Sequence, residues 1–293
     1  MQKIGIVTDE AADLPKDLIE KNQIVIVPVK MFWPEIENLP GENTFQKMRE
    51  AEKLGIKTFG KTSQPSVKDF TDAFEKQLNN FEKVIAIILT SKLSGTFNSA
   101  NQARNFLKPK NQERLFLIDS LNVSSGESLL ILRALDLVKQ GREITEIVKD
   151  LQELIPNIHV IGIIPDPKWV EAGGRMSPIV ANWIRKAAKI GVRPLIRIKD
   201  GILGAGGIVI GAKDIPTAVF KKFEAETKKT KRQNKKIRIV ITHADDLLTA
   251  TKLKEMIEKS WPNSEVVFLN IINNVVGTLS GPDTILLAWC ESN

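Results

Sequence analysis

Two stretches dense in hydroxyl side chains carry the plainest chemical signal in this 293-residue chain. One is Lys61-Thr62-Ser63-Gln64-Pro65-Ser66, and the other is Thr90-Ser91-Lys92-Leu93-Ser94-Gly95-Thr96. Each runs straight into a segment with helical spacing. A helix start offers free backbone N–H groups and partial positive charge. Hydroxyls placed beside it make a donor-rich pocket for an anion. For either loop alone, ordinary capping by Ser and Thr explains the composition. Two such loops in one half of the chain weaken that explanation, while spacing by itself does not make them converge. A third loop, Asp9-Glu10-Ala11-Ala12-Asp13, follows the first apolar run.

Other chemistries find little support. There is no His-Glu-x-x-His pair and no cysteine cluster, so no zinc site is expected. Gly206-x4-Gly211-Ala212-Lys213-Asp214 imitates a phosphate loop, but its lysine comes one place late and no Ser or Thr follows. Gly204-x-Gly206-x-x-Val209 misses the third glycine of a dinucleotide fingerprint, and these glycines read as turn or bulge positions. No cofactor is expected. The chain has two histidines. His159 falls at a strand start and reads as structural, whereas His243 ends a strand beside Asp245 and Asp246. A serine hydrolase acting on an acyl ester with Ser94 and His243 is the alternative function. Ser94 lacks the first glycine of a nucleophile elbow, so a non-catalytic role is preferred for both residues.

The elements that must position these loops follow from the apolar pattern. Ile4–Thr8, Ile24–Val29, Val84–Leu89 and Leu115–Asp119 read as strands. Helical patterns at Phe45–Leu54, Val67–Leu78, Phe97–Phe106, Gly126–Lys139 and Ile144–Leu154 alternate with them. That βα order predicts a parallel sheet with helices on both faces, an α/β fold of three layers. In such sheets ligands bind at the carboxyl ends of the strands, where the loops above fall. After Pro156 the pattern changes. His159–Ile164, Arg193–Lys199, Ile237–Thr242, Glu265–Asn270 and Ile285–Trp289 read as strands, with helices at Pro178–Lys189, Ile215–Lys229 and Leu247–Ser260. Asp200-Gly201 marks a hairpin turn. In the helix Pro178–Lys189, Ile179, Val180, Trp183, Ile184 and Ala187 form one apolar stripe. The expected domains are residues 1–156 and 157–293, the second an α/β domain with a mixed sheet.

Composition sets the outer bounds. Hydrophobic residues make up 42% and charged residues 26%, as in a globular chain. The lone Cys290 cannot pair within the chain, and no apolar run reaches membrane-span length. A cytoplasmic protein without an integral membrane segment is expected. The net charge of +7 is local, since nine Lys or Arg residues lie between Lys221 and Arg238 against Glu224 and Glu226. With only Phe220 and Phe223 as aromatics nearby, this run reads as a solvated helix end and polar loop rather than a nucleic-acid site.

The loops belong to a longer set of motifs. In order these are Val7-Thr8-Asp9 with Ala12-Asp13-Leu14-Pro15, Lys61-Thr62-Ser63-Gln64-Pro65, Ser91-Lys92-Leu93-Ser94-Gly95-Thr96, and Ile118-Asp119-Ser120. Gly173-Gly174-Arg175-Met176-Ser177, Lys199-Asp200-Gly201, Thr242-His243-Ala244-Asp245, and Gly277-Thr278 with Gly281-Pro282 complete it. Over nearly its whole length the chain thus resembles the DegV family of bacterial fatty-acid-binding proteins. The resemblance implies two α/β domains with a lipid tunnel between them and a long-chain fatty acid, such as palmitate, as ligand. It implies that Thr62 and Ser94 hold the carboxylate, with Ser63, Gly95, Thr96, Arg175, His243 and Thr278 in supporting places. It also implies a role in lipid transport or fatty acid metabolism, or in presenting the lipid to a separate fatty acid kinase subunit. Four departures from the family pattern stand out. Glu10 replaces a serine, Leu279 a histidine and Ile210 an arginine, and the acidic and tyrosine-bearing stretch around 35–50 is altered.

Overall fold

The computed structural model describes residues 2–190 and 192–292. Its strands are β1 (Gln2–Asp9), β2 (Val25–Val27), β3 (Lys30–Phe32), β4 (Lys61–Ser63), β5 (Phe81–Ile88) and β6 (Leu115–Asp119), followed by β7 (His159–Ile163), β8 (Arg193–Lys199), β9 (Ile202–Val209), β10 (Ile237–His243), β11 (Ser264–Ile271) and β12 (Ile285–Glu291). The chain folds as two units, each drawn from several stretches of sequence. Unit 1 comprises residues 1–30, 63–158 and 200–202, and unit 2 comprises residues 31–62, 159–199 and 203–293.

Unit 1 is built on a parallel sheet in the order β2-β1-β5-β6. Residues 84–88 of β5 are wholly buried, which a strand achieves only when covered on both faces. One cover is the helix Val67–Asn80, whose Phe70, Ala73, Phe74, Gln77 and Leu78 recur at helical spacing on its buried face. Ser66 caps that helix in a reciprocal box with Asp69. Gln77 is buried yet satisfied, because its amide donates to the carbonyls of Ile6 at 2.9 Å and Gln23 at 2.8 Å. The helices Thr96–Phe106, Ser125–Lys139 and Ile144–Leu154 complete the unit. The expected strand Ile24–Val29 is shorter, Val25–Val27, because Pro28 lacks the N–H needed to continue pairing.

Unit 2 holds a mixed sheet in the order β11-β10-β12-β7-β8-β9. β10 pairs in parallel with β11 and antiparallel with β12, and the antiparallel pairing continues from β12 to β7 and from β7 to β8. Phe223, Trp261, Trp289 and the inner residues of β10 and β12 form one core. A second core gathers Trp33, Phe45, Met48, Trp169 and Met176. Asp200 and Gly201 turn the chain from β8 to β9 with φ of 51° and 80°, both in the left-handed region that a tight hairpin requires.

Gly204, Gly206 and Gly207 lie within β9, an edge strand, where Gly207 takes a positive φ of +103°, and Gly211 follows the strand with φ +66°. Ile179 is 82% exposed and leaves the stripe of the helix Pro178–Lys189, which buries Ala181, Ile184 and Ala187. Of the basic run, Lys229, Lys231 and Arg232 lie in the last turn of the helix Ile215–Arg232, at the negative end of the helix dipole.

Candidate functional site

In unit 1 the site is the loop leaving β5. Its first amides are all engaged. Leu89 N–H donates to Asp9 Oδ2 at 2.9 Å, Thr90 N–H to the Asn122 carbonyl at 2.9 Å, and Ser91 N–H to Asp119 Oδ1 at 3.2 Å. Lys92 N–H donates to Thr90 Oγ1 and Leu93 N–H to the Thr90 carbonyl, each at 3.2 Å. Thr90 Oγ1 itself donates to the Gly201 carbonyl at 3.1 Å. The chain therefore arrives at Ser94 along a fixed path.

Beyond Leu93 the pattern opens. Thr96 N–H donates to Ser94 Oγ at 3.2 Å, and the Ser94 and Thr96 hydroxyls lie 2.7 Å apart. Gly95 occupies the cap position of the helix Thr96–Phe106 and supplies no side-chain acceptor. Among the described residues, the amides of Ser94, Gly95, Phe97 and Asn98 have no hydrogen-bond partner within the unit. A helix start with free amides and two hydroxyls is a donor set for an anion. Gln64 braces it, donating to Ser99 Oγ at 3.0 Å and packing so closely that a Cβ at Gly95 would strike its amide. Nothing in the spacing of Gln64 within Lys61-Thr62-Ser63-Gln64-Pro65 marks it as a brace. The other loop divides in its use. Ser66 is spent on the capping box, whereas Ser63 is exposed and takes no part in it.

Unit 2 carries the remaining residues. Thr62 is the middle residue of β4 and half-buried, and among the described residues its hydroxyl has no hydrogen-bond partner within the unit. Two residues earlier, buried Gly60 faces Thr278, whose methyl group occupies the space a Cβ would need. Thr278 is thus brought beside the start of β4. Its hydroxyl is already committed, donating to the Asn274 carbonyl at 2.6 Å and lying 2.9 Å from Met31 Sδ. It sits in the helix Asn274–Ser280, which the residue pattern did not reveal. Asn273 caps this helix through the amides of Val275 and Val276. Arg175 is half-buried, and its guanidinium turns back onto the Gly173 carbonyl. Leu279 packs against Gly173. A cleft of about 420 Å³ lies beside β4, with Phe32, Pro34, Phe59 and Ala172 among its walls and Lys61 and Glu35 as its charges.

His243 ends β10, is nearly buried, and accepts the Asp246 N–H at Nδ1 at 3.1 Å. Burial holds its pKa below the usual histidine value against the pull of Asp246 and Asp245. The neutral ring therefore carries its proton on Nε2. His159 stacks on Trp289 with ring centres 5.2 Å apart, a packing role. Both histidines belong to unit 2, so unit 1 offers Ser94 no imidazole.

The parallel sheet, the mixed sheet and the helix start define a two-unit α/β protein with a donor-rich loop at a strand's carboxyl end. The DegV family model, described as "Uncharacterised protein, DegV family", matches residues 3–292. The chain belongs to the DegV family. A DegV domain-containing protein of Clostridium acetobutylicum is 31% identical over 266 residues, covering 87% of this chain and 88% of that protein. A protein of Thermotoga maritima named as a fatty acid-binding protein is 28% identical over 298 residues, covering 97% of this chain and 96% of its own. Among solved structures, a stearic acid-binding protein from Eubacterium ventriosum superposes with a TM-score of 0.83 at 22% identity, over 98% of both chains. No helix among the described residues is long and apolar enough to cross a membrane.

Proposed function

We propose that this chain binds one long-chain fatty acid, such as palmitate, with its carboxylate hydrogen-bonded by the hydroxyls of Ser94 and Thr62 and its acyl chain buried in the protein. The observation that carries this function is the start of the helix Thr96–Phe106, where two hydroxyls sit among amides that no group in the unit uses. A carboxylate removed from water without donors is costly, and hydrogen bonds to an ionised acceptor are the strong kind. The acyl chain supplies the drive. At ~0.8 kcal/mol per CH₂, a sixteen-carbon tail gains roughly 11 kcal/mol gross on leaving water, before the costs of association. Similarity to a named fatty acid-binding protein along almost the whole chain supports the same ligand. Gly95, Thr96 and Ser63 fall around the proposed headgroup as supporting residues. Thr278 contributes by shape beside Gly60, since its hydroxyl is engaged elsewhere. We assign Arg175 and His243 no direct bond to the acid.

We further propose that the protein carries its lipid in the cytoplasm, for fatty acid metabolism or for presentation to a separate kinase subunit. Leu279 and Ile210 give such a partner apolar rather than polar contacts.

The hydrolase alternative has a specific obstacle. A general base accepts a proton from serine, but the His243 nitrogen not bonded to Asp246 already bears one. The test is isothermal titration of delipidated protein with palmitate, alongside a fluorophosphonate probe. Saturation at one lipid per chain with no labelled Ser94 is expected. Labelling of Ser94 that is lost in His243→Ala, with no lipid bound, overturns the proposal.

A further inference from the structure

Unit 1 buries three acids: Asp9 at the end of β1 and Glu127 in the helix Ser125–Lys139 wholly, and Asp13 nearly so. Asp9 is the last residue of β1, and β1 pairs with β5 through Thr8 and Ile87, so its side chain lies where the chain leaves β5. Its two oxygens do different work. Oδ1 accepts the Ala11 N–H at 2.9 Å and caps the short turn Glu10–Ala12. Oδ2 accepts the Leu89 N–H at 2.9 Å, the first amide of the loop that ends at Ser94.

We infer that Asp9 is a positioning residue for the carboxylate-binding loop, its buried carboxylate clamping the Leu89 amide so that Ser94 and the helix start behind it are held in place. This rests on the fatty-acid assignment above. The clamp ties the end of β1 to the root of this loop, and the amides after it follow in sequence. Aspartate fits the place because a carboxylate can accept two N–H donors at once, which asparagine cannot do without turning its own NH₂ towards one of them.

The charged groups facing Asp9 are consistent with this role. Glu10 on the adjoining turn acts on Asp9, and Asp9, Asp13 and Asp119 in turn act on Glu127. Glu127 accepts from Thr8 Oγ1 at 3.1 Å through one oxygen, while its other oxygen is buried with no hydrogen-bond partner. Burial holds the Glu127 carboxyl well above the usual carboxylate range, so its uncharged form is the one favoured there. Among the described residues these acids do not form a metal-holding group.

The test uses Asp9→Asn and Glu127→Gln in the full chain, read by amide hydrogen exchange and by palmitate titration. In Asp9→Asn, exchange at Leu89–Leu93 should accelerate relative to the rest of unit 1, and palmitate affinity should fall about tenfold. Affinity should vary with pH near neutrality in the wild type and be flat in Asp9→Asn. Glu127→Gln, an uncharged mimic, should fold and leave loop exchange and affinity within about twofold of wild type. Unchanged loop exchange in Asp9→Asn overturns the inference, as does Glu127→Gln loosening the loop equally. If Asp9→Asn does not fold, loosening in Glu127→Gln alone decides against it. The exchange data need no lipid, so failure of the wild type to bind palmitate would sink the fatty-acid assignment and leave the Asp9 clamp to be judged separately.

Discussion

Replacing Ser94 with alanine separates a ligand-binding hydroxyl from a capping one. In the free protein Ser94 Oγ accepts the Thr96 N–H at 3.2 Å and pairs with Thr96 Oγ1 at 2.7 Å. Losing those local bonds should cost about 1 kcal/mol of fold stability. The bound acid loses more. A donor to an ionised acceptor is worth about 1.5–3 kcal/mol, or roughly 10–150-fold in affinity. Thr96 Oγ1, released from Ser94, can swing to the carboxylate, so the single variant should fall near tenfold. Ser94→Ala with Thr96→Val removes the substitute, and its loss should exceed the sum of the two single losses in free energy. Thr62→Val, nearly the same shape without the hydroxyl, should lose affinity by about tenfold with little change in stability. The assay is palmitate titration of delipidated proteins, each with its thermal midpoint measured without ligand. Affinities within twofold of wild type for both Ser94→Ala and Thr62→Val, in folded protein, would refute the proposed headgroup contacts.

Three further outcomes follow from the packing and charges. Gly281→Ala should destabilise unit 2 by roughly 2–3 kcal/mol, because residue 281 has φ +83° and its Cβ would enter the Trp169 indole; a thermal midpoint lowered by about 5–10 °C checks this. Ser66→Ala breaks the capping box and should cost about 1 kcal/mol in denaturant unfolding, with palmitate affinity retained because Ser66 is a cap and not a ligand. Burial raises the Asp9 carboxyl from 3.8 to about 7 against the pull of the Leu89 and Ala11 amides, so the folded protein binds a proton that the unfolded chain has released. Stability from this group is therefore full below about pH 4 and lost as pH rises to about 7, by about 4 kcal/mol in all. The two histidines, both lowered by burial, act oppositely below pH 6.5. The difference between wild type and Asp9→Asn isolates the acid, and a pH-independent difference would contradict it.

Much of the fold was legible because its signals are local. The run Val84–Leu89, the spacing of Phe70, Phe74 and Leu78, and the Asp200-Gly201 turn each announce an element through a few adjacent residues. What stayed hidden depends on distant partners. The helix Asn274–Ser280 packs its one central glycine, Gly277, against the Phe45 ring, which no periodicity encodes. β9 holds its glycines in an edge strand because the hairpin brings it to β8, where chain direction outweighs glycine's poor strand propensity. The hydroxyl loops were visible as composition, yet sequence could not tell that Ser66 is consumed by Asp69 while Ser94 opens onto free amides. Likewise Asp9 reads as one acid in a motif, and only its bond to Leu89, eighty residues on, shows what it holds.

The most direct measurement is the mass of the protein as purified, taken by native mass spectrometry and again after organic extraction. A bound mass equal to one long-chain fatty acid, released by extraction and restored by adding palmitate, is the predicted result. A folded protein that carries only its chain mass and takes up no acyl ligand from a mixed fatty acid pool would contradict the account.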